Sequence, residues 1–299
     1  MVGRRVHVRT RALLIVAVVL ALAGSGLLVK QTLFAPRLTT SFPAYKVGVA
    51  GFPDTGGYWL VQQDGGVITR GQAQAYFYGS MGGNPSLNAP MVGMAATVDG
   101  RGYWLVGADG GIFSFNSAAF HGSMGGSTLN KPVSGMAATP DGGGYWLVAQ
   151  DGGVFAFGNA PILGNLVGKP GLSAPLVGIA GTPSGQGFWL VGSDGAVYGF
   201  GDAQYLGGAN TGPPISQPIK GIAGTPDGHG YWLVGGDGGV FTFGDAFLWG
   251  AVTQRYSGIT DVSAIAPTRD GNGYWVIEQN GNVHVFGNAV CGEPPGGCA

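Results

Sequence analysis

The chain is poor in charged residues. Only 14 lysines and arginines and 15 aspartates and glutamates occur among 299 residues, so the formal net charge is −1. A protein that binds nucleic acid needs clustered basic side chains to neutralise phosphates, and this composition has no surplus of them. Nucleic acid is therefore not an expected partner.

Histidine and cysteine are also scarce. The four histidines and two cysteines form no HExxH motif and no cluster with the spacing of zinc ligands. No serine stands in a G-x-S-x-G turn, and the glycine clusters do not lie between a strand and a helix. The sequence thus predicts no catalytic residue, no metal site and no cofactor, which argues against an enzyme.

Long helical patterns are absent apart from one N-terminal apolar run. Residues 12–29 are uncharged and would span about 27 Å as a helix, close to the roughly 30 Å of a bilayer core. Four arginines within residues 1–11 favour a cytoplasmic N-terminus, with the remainder of the chain outside the membrane. We expect a single-pass anchor. A cleaved signal peptide, which would make the protein secreted, is the alternative, because Ala21-Leu22-Ala23 resembles a cleavage site.

Glycine is the residue that the chain has in excess. It accounts for 61 of 299 residues, well above the usual share of roughly 7%. The glycines do not recur at every third position, so the chain is not a collagen. A hydrophobic content of 45% opposes disorder. The glycines therefore require a repeat of longer period.

Such a repeat organises residues 45–289. Each of six units contains an aromatic residue followed by tryptophan, and successive pairs lie 45, 42, 43, 43 and 43 residues apart. In units 1 to 6 the pairs are Tyr58-Trp59, Tyr103-Trp104, Tyr145-Trp146, Phe188-Trp189, Tyr231-Trp232 and Tyr274-Trp275. Units of this length built from short strands are typical of β-propellers.

Unit 5 illustrates the expected structure of one unit. Its sequence predicts strands at 219–225, 231–234 and 240–243 and a short fourth strand at 247–249, separated by glycine-containing turns. Six such units predict an all-β fold: a six-bladed β-propeller of four-stranded blades, preceded by the transmembrane helix. Residues 30–44 are expected to be a linker or a strand that closes the ring against the last blade. Alternatively, the tail, 290–299, supplies that outer strand.

The units resemble the glycine-rich propeller repeats of exported actinobacterial proteins, whose cores have the form GYWLVxxDGGVFxFGDA. The resemblance covers residues 45–289 and rests on six occurrences of the motif. In that group the repeats often accompany a cell-wall hydrolase or peptidase domain, and no such domain is recognised in this sequence. The resemblance implies a fold and an extracytoplasmic location rather than an activity.

Aspartates at the second turn are the most regular polar feature, and they are candidates for a binding face: Asp64, Asp109, Asp151, Asp194 and Asp237, with Asn280 in unit 6. One interpretation is an acidic ring that binds a cation or sugar hydroxyls. The other is that Asp-Gly forms a tight hairpin. Asparagine at 280 favours the turn, because it keeps the turn preference and loses the charge. A first-turn series is interpreted likewise: Asp54, Asp99, Asp141, Asp227 and Asp270, with Ser184 in unit 4.

Other candidates come from the aromatic residues, the connecting segments and the tail. The six repeated tryptophans are expected to pack between blades rather than to stack on sugars. Trp249 lies outside the repeated pairs and is a candidate for exposed contact, as are Arg255 and Tyr256 in a connecting segment that varies between units. Unconstrained sequence drift is the alternative for those segments. Cys291 and Cys298 are expected to form a disulfide that staples the tail, with free thiols as the alternative.

These expectations describe a membrane-tethered, extracytoplasmic propeller that acts as a non-enzymatic binding or scaffold module. The expected partner is an envelope protein or a cell-wall glycan. One alternative is a cell-wall-acting hydrolase or lyase with a site near the propeller channel, and another is a purely structural envelope assembly subunit. An enzyme would require one or two units that break the repeat with inward-facing acids, histidine or arginine.

Overall fold

Each repeated unit folds into one antiparallel sheet of three strands. The computed structural model describes residues 42–52, 56–71, 76–84 and 86–292, and within them six such sheets follow one another along the chain. Strands pair in sequence order within every sheet, so that hairpins connect them. The described residues all belong to one compact body, residues 39–299.

The strands match the sequence-based expectation closely. In unit 5, strands are found at 219–224, 230–235 and 240–244, within one residue of each predicted bound. The full set is β1 Lys46–Gly51, β2 Gly57–Gln62, β3 Val67–Gly71, β4 Met91–Ala96, β5 Gly102–Gly107, β6 Ile112–Asn116, β7 Val133–Ala138, β8 Gly144–Ala149, β9 Val154–Gly158, β10 Leu176–Gly181, β11 Gly187–Gly192, β12 Val197–Gly201, β13 Ile219–Gly224, β14 Gly230–Gly235, β15 Val240–Gly244, β16 Val262–Pro267, β17 Gly273–Glu278 and β18 Val283–Gly287. Short 3₁₀ turns occur at Ala209–Thr211 and Val252–Gln254.

The middle strand of each sheet is buried on both faces. Its tryptophan packs against the first aromatic residue of the pair in the next sheet, with ring centroids 5.5–5.8 Å apart. Trp275 of sheet 6 packs in the same way on Tyr58 of sheet 1. All six tryptophans are at most 1% exposed. The prediction that they pack in the core is confirmed.

The first strands of successive sheets also pack against each other, and β16 packs against β1. One backbone hydrogen bond recurs at each of these contacts, from the start of a first strand to the second-turn carbonyl of the preceding unit. The Ile219 N–H donates to the Ser193 carbonyl at 2.9 Å, and the Lys46 N–H donates to the Gln279 carbonyl at 3.0 Å. Sheets 6 and 1 thus make the same contacts with each other as two sheets that are consecutive along the chain.

The predicted fourth strand is not formed in the described residues. In unit 5 the corresponding segment, 247–249, is held by side chains instead of a strand ladder. Trp232 Nε1 donates to the Phe247 carbonyl at 2.8 Å, and the equivalent bond occurs in all six units at 2.7–3.2 Å. Further along, the Tyr274 hydroxyl accepts the Gly250 N–H at 3.1 Å and donates to the Gly250 carbonyl. Aromatic side chains therefore satisfy backbone groups that a fourth strand would have paired.

A left-handed residue ends the third strand and turns the chain out of the sheet. Gly244 has φ +67°, and a Cβ added there would lie 2.1 Å from the carbonyl oxygen of His229. Unit 2 has Asn116 at this position, with φ +54°, the only non-glycine residue with positive φ in the described ranges. Asparagine tolerates this conformation better than most residues. Part of the glycine excess is thus a requirement of this turn.

Several predictions concern segments outside the described residues. These segments are residues 1–11, which are predicted to be cytoplasmic, the apolar run 12–29, most of 30–44, and the end of the tail, 293–299. Within the part that the structure describes, no helix is long and apolar enough to span a bilayer. Of the proposed closing segment, Phe42 packs against the hydrophobic cluster between sheets 1 and 2. In the described part of the tail, the Val290 carbonyl accepts Trp275 Nε1–H at 3.0 Å, as in the other units.

Candidate functional site

The second-turn series lies at the hairpins between the second and third strands. In each hairpin a side-chain oxygen accepts the backbone N–H two residues further on, at 2.7–3.1 Å; the residues are Asp64, Asp109, Asp151, Asp194, Asp237 and Asn280. This hydrogen bond is that of an Asx turn. The interpretation that these residues form the hairpins is confirmed, and a binding role for them stays a prediction.

The first-turn series lies at the opposite ends of the sheets, apart from Asp54, which is outside the described residues. In unit 6, Asp270 Oδ1 accepts the Thr268 hydroxyl at 2.7 Å and the Asn272 N–H at 3.1 Å. Asp270 Oδ2 accepts Nδ2–H of Asn288, just after the third strand, at 2.6 Å. The Thr268 hydrogen bond, followed by those of Asn272 and Asn288, outweighs burial and lowers the pKa of Asp270 to about 2. Both oxygens of this carboxylate thus accept hydrogen bonds from its own turn or from Asn288.

In units 3, 4 and 6 a hydrogen bond joins a side chain of the first turn to the side chain just after the third strand, and one of the two partners supplies an N–H or O–H donor. Its geometry is Asn159 Nδ2 to Asp141 Oδ2 at 2.6 Å, Ser184 Oγ to Asp202 Oδ2 at 2.5 Å, and Asn288 Nδ2 to Asp270 Oδ2 at 2.6 Å. Unit 5 instead places two carboxylates together, Asp227 and Asp245. Burial and then Asp227 raise the pKa of Asp245, whereas the Thr225 hydroxyl is the main cause that lowers the pKa of Asp227. Unlike the equivalent side chains in units 3, 4 and 6, the carboxylates of Asp227 and Asp245 have no N–H or O–H donor that could join them.

His229 lies beside this acid pair, with Nδ1 3.4 Å from Asp227 Oδ2. One ligand atom from each of Asp227, His229 and Asp245 lies within 4.8 Å of the others, the only such trio in the described ranges. Imidazole and carboxylate groups are chemically suited to a divalent cation, although all three side chains are exposed. The sequence analysis predicted no metal site and missed this trio. The available signal was that only unit 5 has aspartate at both positions.

Replacement of Asp245 by asparagine is expected to raise the free energy of unfolding at pH 7 by about 1 kcal/mol, because the amide restores the missing hydrogen bond. The raised pKa of Asp245 means that its carboxylate is destabilising above the folded-state pKa, and that this cost disappears below the unfolded-state pKa. The gain should therefore shrink in acid. Urea titrations of parent and variant at pH 7 and pH 3 measure the difference.

Asn159→Asp is the matched reverse substitution, since it places a second carboxylate against Asp141 in unit 3. It is expected to lower the free energy of unfolding at pH 7, because the amide donor is lost and a second negative charge lies beside Asp141. A loss of stability in Asp245→Asn at pH 7, or a gain in Asn159→Asp, would contradict this account of the acid pair.

Unit 6 departs from the repeat inside the core. Glu278 and His284 are each 1% exposed, and His284 Nε2 lies 2.5 Å from Glu278 Oε1. Asn280 and Asn282 donate their Nδ2–H groups to Glu278 Oε2 at 2.7 Å and 3.3 Å. Burial acts to raise the pKa of Glu278, but the hydrogen bonds from His284 and the two asparagines together lower it.

The buried pair lies next to a connecting segment. The Tyr256 ring is 5.2 Å from the His284 ring, and the Arg255 guanidinium lies 5.0 Å above Phe286. His284 Nδ1 is buried and has no hydrogen-bond partner among the described residues. Of the predicted binding residues, Asn280 and Tyr256 thus contact the two members of the buried pair, Glu278 and His284, whereas Arg255 lies over Phe286 further along the third strand.

His284 stands where units 2 to 5 have phenylalanine or tyrosine, so that its buried ring takes the place of theirs. Glu278 was missed as its partner. The signal was that units 2 to 5 have glycine or alanine at this position: Gly107, Ala149, Gly192 and Gly235.

The remaining candidates lie elsewhere. Trp249 is at the first-turn end, where its Nε1–H donates to the Gly271 carbonyl at 3.2 Å and its ring contacts Phe247 at 4.5 Å. It is therefore at the other end of the sheets from the second-turn series. Cys291 is described but Cys298 is outside the described residues, so the disulfide stays a prediction.

Comparisons with known proteins give no family for this chain. No protein-family model matches it, and no curated protein is significantly similar to it. The structural basis of the resemblance stated above is the set of six three-stranded antiparallel units with glycine and aromatic residues at recurring positions.

Proposed function

We propose that the six sheets are the blades of a closed six-bladed β-propeller that residues 12–29 tether to the membrane. The propeller lies outside the cytoplasm and acts as a non-enzymatic binding or scaffold module for an envelope protein or a cell-wall glycan. The observation that carries the ring is the contact of Trp275 with Tyr58, which repeats at 5.5 Å the geometry of consecutive sheets. A closed ring leaves neither the first nor the last blade with an apolar sheet face exposed to water.

The use of the repeated polar side chains favours binding over catalysis. The described aspartates of both series accept hydrogen bonds within their own turns, so that their main role is to hold hairpins of constant shape. The connecting segments differ between units, and variable loops on a rigid scaffold are the usual place of a recognition surface. Arg255 and Tyr256 in the segment before β16 are the side chains with which we expect a partner to make contact.

Site-specific crosslinking in intact cells tests the binding role. A photoreactive residue in place of Tyr256 is expected to capture one discrete envelope protein, or wall glycan that sediments with purified wall. The control is the same residue in place of Ile162, which is 90% exposed on another part of the molecule. Equal capture at both positions, or release of wall fragments by the purified full-length protein, would contradict a non-enzymatic module.

Fractionation tests the tether and the location. The full-length chain is expected in the membrane fraction after alkaline washing, and external protease is expected to digest it in spheroplasts. A mature N-terminus near Gly24 would demonstrate the cleaved signal peptide instead, and protection from external protease would contradict the extracytoplasmic location.

A further inference from the structure

A cavity of about 350 Å³ lies among the first strands of sheets 1, 2, 5 and 6. Its apolar walls include Val49, Ile222 and Ile265. It opens where these strands run into the first turns, at Val98 and Arg269. Pockets that bind small molecules have volumes of roughly 300–1,000 Å³, mostly apolar walls and a few polar groups.

The mouth of this cavity departs from the repeat on one side. Phe52 stands where units 2 to 6 have threonine, and its ring stacks on Tyr76 at 5.0 Å. Val98 and Arg269 stand where units 3 to 5 have proline: Pro140, Pro183 and Pro226. These three changes belong to units 6, 1 and 2, whose first strands contact each other in that order. Phe52 and Val98 make this side of the mouth more apolar, and Arg269 adds a positively charged guanidinium.

Among the described residues that line the cavity, Arg269 is the only charged one. Its side chain is exposed and forms no ion pair with any described residue. The neighbouring Asp270 accepts hydrogen bonds from Thr268, Asn272 and Asn288 and forms no ion pair with Arg269. The guanidinium therefore lies beside an apolar cavity whose described lining residues include no acid.

We propose that this cavity binds a small amphipathic anion. An apolar body, such as a phenyl ring or a short acyl chain, lies between Val49, Ile222 and Ile265, where its transfer from water is favourable. Its carboxylate, sulfonate or phosphate group accepts hydrogen bonds from Arg269, whose planar guanidinium is suited to such groups. The site is separate from Arg255 and Tyr256, so that either proposal can fail without the other.

Calorimetric titration with three probes of the same shape tests the proposal. The full-length protein in lipid nanodiscs is titrated with 4-phenylbutyrate, 4-phenylbutylamine and 4-phenylbutanol, and empty nanodiscs give the background. The acid is expected to bind saturably at one site, at least about tenfold more tightly than the alcohol or the amine, because only the acid forms a charge-assisted bond with Arg269.

Substitutions assign the binding to this cavity. Arg269→Gln is expected to weaken phenylbutyrate binding about 10- to 100-fold and to leave the alcohol unchanged. Arg101→Gln removes another exposed arginine of the first-turn end that does not line the cavity, and should change neither. Val49→Phe fills the cavity and should abolish binding of both acid and alcohol.

Thermal unfolding midpoints equal to that of the parent show that the variants are folded. No saturable binding of phenylbutyrate at millimolar concentration, equal affinities for the three probes, or unchanged affinity in Arg269→Gln would overturn the proposal. Retained binding in a folded Val49→Phe variant would place the ligand elsewhere and would overturn it as well.

Discussion

His284→Phe is expected to lower the free energy of unfolding at pH 7 by about 3–5 kcal/mol, because it leaves the buried carboxylate of Glu278 without its imidazole partner. Phenylalanine is the residue that units 2, 3 and 5 have at this position, so the substitution keeps an aromatic ring there. The expected loss is thus one of electrostatics and hydrogen bonding rather than of packing volume. Urea unfolding followed by tryptophan fluorescence measures it.

The matched control is the double variant Glu278→Ala with His284→Phe, which reproduces the Ala149 and Phe155 pair of unit 3. Replacement of both partners of a buried hydrogen-bonded pair by apolar residues is often neutral or stabilising, so we expect the double variant to unfold within about 1 kcal/mol of the parent. A small loss in the single variant, or a loss in the double variant as large as in the single, would show that the pair does not act as a unit.

Trp275→Ala is expected to destabilise the protein as much as Trp146→Ala does, by about 3–5 kcal/mol. Both tryptophans are 0% exposed, and they pack on the next sheet's ring at 5.5 Å and 5.6 Å. Their Nε1–H groups donate to backbone carbonyls at 3.0 Å and 2.8 Å. In a closed propeller the contact between sheets 6 and 1 is equivalent to that between sheets 3 and 4, so the two losses should agree.

Chemical denaturation of the two variants, side by side, measures this comparison. Trp275→Phe and Trp146→Phe are the controls, because they retain an aromatic ring and remove the indole donor with only part of the buried volume, and a smaller loss is expected from each. A much smaller effect of Trp275→Ala than of Trp146→Ala would contradict the closed ring, since the terminal sheets of an open array can separate without unfolding the others.

The strands of each unit were predictable from the sequence because their determinants are local. Asp237-Gly238 makes a hairpin through a bond to the N–H of Gly239, and strands of four to six residues between such turns cannot extend much further in either direction. The spacing of the aromatic–tryptophan pairs similarly predicted six copies of one unit. These features require no knowledge of what lies across the sheet.

The fourth strand was predicted wrongly because its pairing depends on side chains from two sheets. Segment 247–249 has strand-forming residues. However, Trp232 of the same unit donates to the Phe247 carbonyl, and Tyr274 of the next unit donates to the Gly250 carbonyl. No local pattern reveals that an indole or a phenol will replace a ladder bond. Only the packing of consecutive sheets decides it.

The sequence by itself determined the repeat, the turns and the residues of the core, since these follow from alternation and turn chemistry within about 43 residues. The tertiary structure decided which exceptional residues meet. Antiparallel register brings Glu278 to His284, the adjacency of a first turn and a strand end brings Asp227 to Asp245, and four first strands place Arg269 beside Ile222. Such contacts depend on distances between backbones that are far apart along the chain, and the repeat pattern alone does not specify them.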